Sequence, residues 1–121
     1  MEPFSARVPP EPVALRPLRG MLREWLLAAG LPPEVQHGAL LAVNEAAANA
    51  IEHAHPHSAV EVRVAIVGGD LVAEVRDAGL WRQGAPSPGR GRGLAIIAAL
   101  VDDLQVRHGP AGTAVRMVAH L

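Results

Sequence analysis

The chain has 121 residues, of which 50% are hydrophobic and 19% are charged. This composition suits a single packed core and is too apolar for a disordered segment, so we expect one domain over residues 1–121. Cysteine is absent, which excludes disulfide scaffolds, thiolate zinc sites and cysteine nucleophiles. The 11 basic residues are all arginine, 12 residues are acidic and the formal net charge is −1, so we expect no direct binding of nucleic acid.

Two further classes are excluded by what the sequence lacks. No apolar stretch reaches the roughly 20 residues of a transmembrane helix, and the polar start MEPFSARVPP is unlike a secretory signal. We therefore expect a cytoplasmic protein without membrane contact. The absence of lysine also excludes the two common nucleotide sites that depend on a lysine, the Walker A loop and the kinase strand lysine.

The first third of the chain predicts a short strand and a helix. Residues 4–8 are extended and end at the prolines that follow. A helix is predicted over residues 13–29, with Gly30 as its left-handed C-terminal residue. Its apolar positions recur at helical spacing and predict one buried stripe, consisting of Leu18, Met21, Leu22, Trp25, Leu26 and Ala29.

A second, alanine-rich helix is predicted from Pro32-Pro33 to His55, just before Pro56. Alternating apolar residues then predict two strands, residues 60–66 and 71–76, joined by Gly68-Gly69-Asp70 as an antiparallel hairpin.

The last third begins with a long irregular segment. Residues 78–92 are rich in glycine, proline, serine and arginine, and a loop of this length in so small a domain indicates a functional lid. A short helix over 94–101 and strands over 104–108 and 113–120 follow, with residues 109–112 as a turn. Helices grouped on a mainly antiparallel sheet predict an α+β two-layer sandwich.

Three polar residues of the second helix are spaced by four. Glu45, Asn49 and His53 therefore share one helix face. An amide oxygen at Asn49 suits Mg²⁺, which takes few protein ligands when phosphates supply others, and Glu45 is placed to accept a proton from a hydroxyl or water. On spacing alone, the solvated face of an amphipathic helix is the better interpretation.

Two glycine-containing segments are further candidates. Asp77-Ala78-Gly79 ends the hairpin, where a carboxylate can accept a hydrogen bond from an exocyclic amine, or can simply stabilise a turn. The segment from Gly89 to Gly93 precedes the short helix, whose N-terminus favours phosphate oxygens. Arg90 and Arg92 either clamp phosphates or keep the loop soluble. The histidines from His53 to His57 lack zinc-site spacing, so we predict no metal site there.

In their order and spacing, these segments resemble the motifs of the GHKL ATPase superfamily. Residues 41–54, LAVNEAAANAIEHA, resemble its N box, and Asp77-Ala78-Gly79 resembles its first glycine box. Residues 89–93 resemble the second glycine box, and Gly112-Thr113 resembles the last. Within the superfamily, the chain from about Phe4 to Leu121 is most similar to bacterial anti-sigma factor serine kinases, of the actinobacterial type.

The resemblance implies a Bergerat fold, ATP and Mg²⁺ as cofactors, and roles for individual residues. Asn49 would ligate Mg²⁺, Glu45 would act as the base, and Asp77 would recognise the adenine amine. The remaining residues implied at the nucleotide are His53, Gly79, Gly89, Arg90, Gly91, Arg92, Gly93, Leu94 and Thr113.

The implied reaction transfers the γ-phosphate of ATP to a serine of an anti-anti-sigma (STAS-type) protein. The same domain, usually a homodimer, would bind and silence a sigma factor. Two alternatives remain open at this point. One is a non-catalytic module in which nucleotide gates a protein surface; the other is an ATPase domain that belongs with a larger phosphatase or sensor protein.

Overall fold

Five strands and three α-helices follow one another in the predicted order within the residues that the computed structural model describes, 1–53, 58–78 and 93–121. A single turn of 3₁₀ helix precedes the first α-helix. In chain order the elements are β1 (Phe4–Val8), the 3₁₀ turn (Pro12–Ala14), α1 (Leu15–Ala28), α2 (Pro33–His53), β2 (Val60–Val67), β3 (Asp70–Asp77), α3 (Gly93–Leu100), β4 (Asp103–Gly109) and β5 (Gly112–His120).

The strands form one antiparallel sheet in the order β1-β2-β3-β5-β4. The predicted hairpin pairs Val62 with Val75 and Val64 with Ala73, and all four side chains are buried. Side chains of a strand alternate between the two faces of a sheet, so these residues mark the face that packs on the helices. Ile66, predicted on the same apolar face, remains exposed near the hairpin turn. The architecture is the predicted α+β sandwich.

Helix α1 buries a narrower stripe than its sequence suggests. Leu18, Leu22 and Leu26 are each 1% exposed, whereas Met21 is 46% exposed. The three leucines advance about 40° at each step, and Met21 lies roughly a quarter turn away from the centre of that arc. The prediction that Met21 is buried is therefore wrong. Gly30 follows the helix with φ +69°, the left-handed conformation predicted for it.

Helix α2, which carries three of the candidate polar residues, packs on β2, β3, β5, α1 and α3. Its buried side chains are mostly alanine, which lets neighbouring elements approach closely. The helix ends at His53 in the structure, and the predicted extension to His55 lies outside the described residues. Of the helices described, none is long and apolar enough to cross a membrane.

Candidate functional site

The polar stripe of α2 is not a solvated helix face. Asn49 is only 5% exposed, and Glu45 and His53 are partly buried. Burial of a carboxamide is unfavourable unless its polar atoms have partners, and no described buried side chain contains an unpartnered nitrogen or oxygen. The interpretation favoured by spacing alone is therefore wrong at Asn49.

Gly93, the first residue of α3, lies directly against this stripe. An ideal Cβ built on Gly93 would be 2.6 Å from Asn49 Nδ2 and 2.9 Å from Glu45 Oε1. These separations are shorter than ordinary van der Waals contact, so the two polar side chains occupy the space that a larger residue would need. The structure thus joins the end of the second glycine segment to two of the three polar residues of α2.

A second group of candidates lies where β3 ends and β5 begins. Asp77 is the last residue of β3 and pairs in register with Thr113. Asp77 is 7% exposed and Thr113 is 2% exposed, so both polar side chains are buried at the end of the sheet. Because α2 packs on β3, the helix that carries Asn49 and the strand that ends in Asp77 belong to the same two-layer unit.

Gly112 permits this pairing. Its φ is +131°, and a Cβ at this position would lie 1.9 Å from the backbone oxygen of Asp77 and 2.7 Å from the Cα of Ala78. Both the backbone conformation and the close approach exclude any larger residue. The glycine of the Gly112-Thr113 pair therefore allows β5 to start immediately beside the end of β3.

His108 is a neighbour of the site that the sequence interpretation missed. It pairs in register with Thr113 across β4 and β5, and its Nδ1 lies 3.3 Å from Thr113 Oγ1, within hydrogen-bonding distance. The sequence did contain a signal for this neighbour. A hairpin closed by the predicted turn over residues 109–112 sets residue 108 opposite residue 113.

The remaining predicted residues have a mixed outcome. Leu94 lies in the first turn of α3 and is 36% exposed. The other predicted positions lie outside the described residues, namely Gly79, Gly89, Arg90, Gly91 and Arg92. The predicted lid over 78–92 and the histidines at positions 55 and 57 also fall there, apart from Ala78.

The donor set around Asn49 fits Mg²⁺ only if another molecule supplies most of the ligands. Within 1–53, 58–78 and 93–121, no group of three or more histidine or acidic side chains is arranged to hold a metal ion. Mg²⁺ is commonly bound by one or two protein oxygens together with substrate phosphates and water. The Asn49 carboxamide beside the Glu45 carboxylate is an arrangement of that kind.

The fold is an α+β sandwich with one group of candidate residues between α2 and the start of α3 and another where β3 ends and β5 begins. The chain belongs to the histidine kinase-like ATPase domain family, whose model matches residues 8–119. The match includes α2, the end of β3, α3 and the start of β5, which together carry all the candidate residues that the structure describes.

Two solved structures are similar to this chain. A crystal structure of the RsbU and RsbW domains of Rv1364c from Mycobacterium tuberculosis has 28% sequence identity and a TM-score of 0.83. The match covers 100% of this chain and 33% of that chain, so this chain spans a third of the length of the crystallised one. The SiaB-SiaC complex from Pseudomonas aeruginosa has a TM-score of 0.73 at 17% identity, over 95% of this chain and 88% of that chain, and supports the fold alone.

Proposed function

We propose that this protein is a Mg²⁺- and ATP-dependent protein serine/threonine kinase that also acts as an anti-sigma factor. The observation that carries the proposal is the contact of Gly93 with both Glu45 and Asn49. It sets a carboxylate and a carboxamide at the N-terminus of α3, where unpaired backbone amides and the helix dipole favour a phosphate group.

The base of ATP would lie toward the end of β3. Asp77 would accept a hydrogen bond from the exocyclic amine of adenine, and Thr113, its partner in register, would add a hydroxyl beside the ring. Burial of both side chains supports this assignment, because a hydrogen bond in a site that excludes water discriminates strongly between bases. Gly79 would allow close approach of the ring.

The triphosphate would extend toward α3, where backbone amides of the second glycine segment would bind its oxygens. Arg90 and Arg92 would add positive charge, and Mg²⁺ held by Asn49 would neutralise charge on the phosphates. The residues assigned to this region are His53, Gly89, Gly91, Gly93 and Leu94.

Glu45 would act as the general base. A serine hydroxyl of the partner protein attacks the γ-phosphorus, a bond forms between the serine oxygen and phosphorus, and the bond from phosphorus to the bridging oxygen of ADP breaks. The proton of the hydroxyl passes to the Glu45 carboxylate. The position of Glu45 Oε1 beside Gly93 supports this role, because the base must be near the phosphate.

The proposed partners are a STAS-type anti-anti-sigma protein, as phosphoacceptor, and a sigma factor, as the protein that is sequestered. We further propose a homodimer and a single domain over residues 1–121. The similarity to a structure that contains an RsbW domain, at 28% identity over the whole chain, supports the anti-sigma assignment.

Phosphate transfer tests the proposal directly. The protein is incubated with Mg²⁺, γ-labelled ATP and candidate STAS-type proteins, and label on the acceptor's serine is the expected result. Glu45→Gln should abolish transfer while ATP still binds, and Glu34→Gln, in the first turn of α2, serves as the matched control. Transfer that is unaffected by Glu45→Gln would overturn the assignment of the base.

A regulatory ATP-binding module, either non-catalytic or belonging with a larger phosphatase or sensor protein, is the second candidate. In the solved structure from M. tuberculosis, the RsbW domain shares a chain with an RsbU domain, and the match covers only 33% of that chain. If nucleotide only gates a protein surface, ATP would change the affinity for a partner and no labelled product would form. The same incubation, followed by a partner-binding assay with ATP and with ADP, separates the two candidates.

A further inference from the structure

The exposed face of the sheet carries a concentration of positive charge. Five of the 11 arginines lie on it, whereas the carboxylates among them belong only to Glu61 and Glu74. Asp70 and Asp103 are the first residues of β3 and β4, whereas Arg76 and Arg107 lie near the last residues of the same strands. These two acidic residues are therefore at the far end of the strands from the arginines. The five arginines are Arg7, Arg63, Arg76, Arg107 and Arg116.

Strand register aligns these charges into rows that cross the sheet. Arg7 pairs with Glu61, which pairs with Arg76, and Ala114 separates Arg76 from Arg107. This row reaches from one edge strand to the other. Neighbouring strands are about 4.8 Å apart, so Arg7 and Arg107 are separated by about 19 Å at the backbone.

Most of this charge is not neutralised within the protein. Arg7 and Glu61 form a 4.0 Å ion pair whose side chains are 75% and 58% exposed, and Arg76 pairs with Glu74 of its own strand. Exposed pairs of this kind hold their partners weakly. Across the part of the chain that the structure describes, no acidic side chain is paired with Arg63, Arg107 or Arg116.

The arginine face is also concave at one end. A cleft of about 570 Å³ at this end is lined by Arg7, Glu61, Arg76 and Arg107 of the arginine face, and also by Asp77 and Thr113 of the candidate nucleotide site. A flat charged surface offers little to a binding partner, whereas a cleft with arginines on both sides can engage a chain laid between them.

We propose that this face docks an acidic, extended segment of a partner protein, lying across the strands. About six extended residues span 19 Å, which matches the distance from Arg7 to Arg107. Glu61 and Glu74, interleaved with the arginines, repel a chain that is charged at every unit, such as a nucleic acid, and leave room for a segment whose acidic residues alternate with neutral ones. Among the described residues, Phe4 lies on the buried face of β1 and Trp25 lies in α1, so neither offers a ring on this face for a base to stack on.

Apart from the end of the cleft at Asp77 and Thr113, this surface lies on the opposite side of the sheet from α2 and α3, and its test is made without nucleotide. Fluorescence anisotropy with a labelled ten-residue peptide of alternating glutamate and serine measures the affinity at about 0.03 M and about 0.3 M salt, between which the Debye length falls about threefold. Arg107→Gln/Arg116→Gln removes two charges of the face, and Arg16→Gln/Arg23→Gln removes two exposed charges of α1 as the matched control.

The expected result is salt-sensitive binding that the Arg107/Arg116 pair weakens about fivefold and the α1 pair changes by less than about twofold. Equal weakening by both pairs would show that only net charge matters and would overturn the proposal. Tighter binding of a ten-nucleotide single-stranded DNA would favour nucleic acid instead. Failure of the peptide to bind, together with loss of self-association in the Arg107/Arg116 variant by sedimentation, would reassign the face to a second copy of this chain.

Discussion

Gly93 and Asn49 are 44 positions apart in the sequence and in direct contact in the fold, with Asn49 Nδ2 2.6 Å from where a Gly93 Cβ would lie. The contact places α3's first residue on the polar face of α2. Each residue thereby restricts the other, since Asn49 is buried by α3 and Gly93 must remain glycine.

Gly93→Ala should therefore be destabilising and should impair nucleotide binding. The added methyl group would displace the side chains of Asn49 and Glu45, and overpacking of this kind typically costs about 1–3 kcal/mol. We expect a lower free energy of unfolding in urea and at least a tenfold loss of ATP affinity. Gly20→Ala, in α1 with no heavy atom within 4 Å of the new Cβ, is the control and should be neutral or stabilising. Equal unfolding free energies and equal ATP affinities for the two variants would contradict the contact of Gly93 with Asn49 and Glu45.

Gly112→Ala tests the junction between β3 and β5. The new Cβ would overlap the Asp77 backbone oxygen, and φ is +131°, so we expect destabilisation by several kcal/mol, at the upper end of single substitutions. Gly109→Ala, at the other end of the same turn and with open space around it, should have a much smaller effect. Thermal unfolding of both variants provides the comparison, and a Tm for Gly112→Ala equal to that of the parent protein would be inconsistent with the structure.

Asp77→Asn should reduce the affinity for ATP about 10- to 100-fold, because a hydrogen bond to a charged group contributes about 1.5–3 kcal/mol. The exposed Asp103→Asn removes the same charge from β4 and should leave the affinity unchanged. Calorimetric titration measures the ATP affinity of both variants, and the same titration with GTP shows whether Asp77→Asn reduces the preference for adenine. If both substitutions weaken binding alike, the proposed recognition of adenine by Asp77 is incorrect.

The His120 side chain gives the fold a predictable dependence on pH. Its Nδ1 lies 2.8 Å from Asp70 Oδ1, and this hydrogen bond, with the nearby charges of Asp102, Asp70 and Asp103, raises the pKa of His120 above 6.5. A raised pKa in the folded state means that the pair stabilises the fold below pH 6.5 and that this contribution is lost as pH rises through the folded-state pKa.

His120→Gln should consequently lower the free energy of unfolding more at pH 5.5 than at pH 8.5. His37→Gln, at an exposed position of α2, is the control and should show no such difference. Urea denaturation at the two pH values gives the four free energies that are required. A loss from His120→Gln that is the same at both values would show that protonation of His120 contributes nothing to stability.

The element order was predictable because each segment has a clear local period or turn signal. The hairpin around Gly68-Gly69, the left-handed Gly30 and the long alanine-rich helix are all of this kind. The exposure of Met21 was not predictable, since the width of a buried stripe is set by which neighbours pack on the helix.

The spacing of the candidate residues could be predicted from the sequence, and their contacts could not. The spacing of Glu45 and Asn49 places both on one face, but only the packing of α3 on α2 buries Asn49 and brings Gly93 to it. The arginine face depends in the same way on long-range register, because Arg7 and Arg107 align only when five strands take the order β1-β2-β3-β5-β4. Local patterns do not contain that information.

Calorimetric titration with ATP, with and without Mg²⁺, tests most directly whether Asn49 serves a nucleotide-bound metal. The account predicts that the parent protein binds ATP more tightly with Mg²⁺, and that Asn49→Ala, shown by circular dichroism to be folded, loses this gain while its metal-free affinity stays within about twofold. The central claim would be contradicted by a parent protein that does not bind ATP, or by an Asn49→Ala variant whose affinity falls equally with and without the metal.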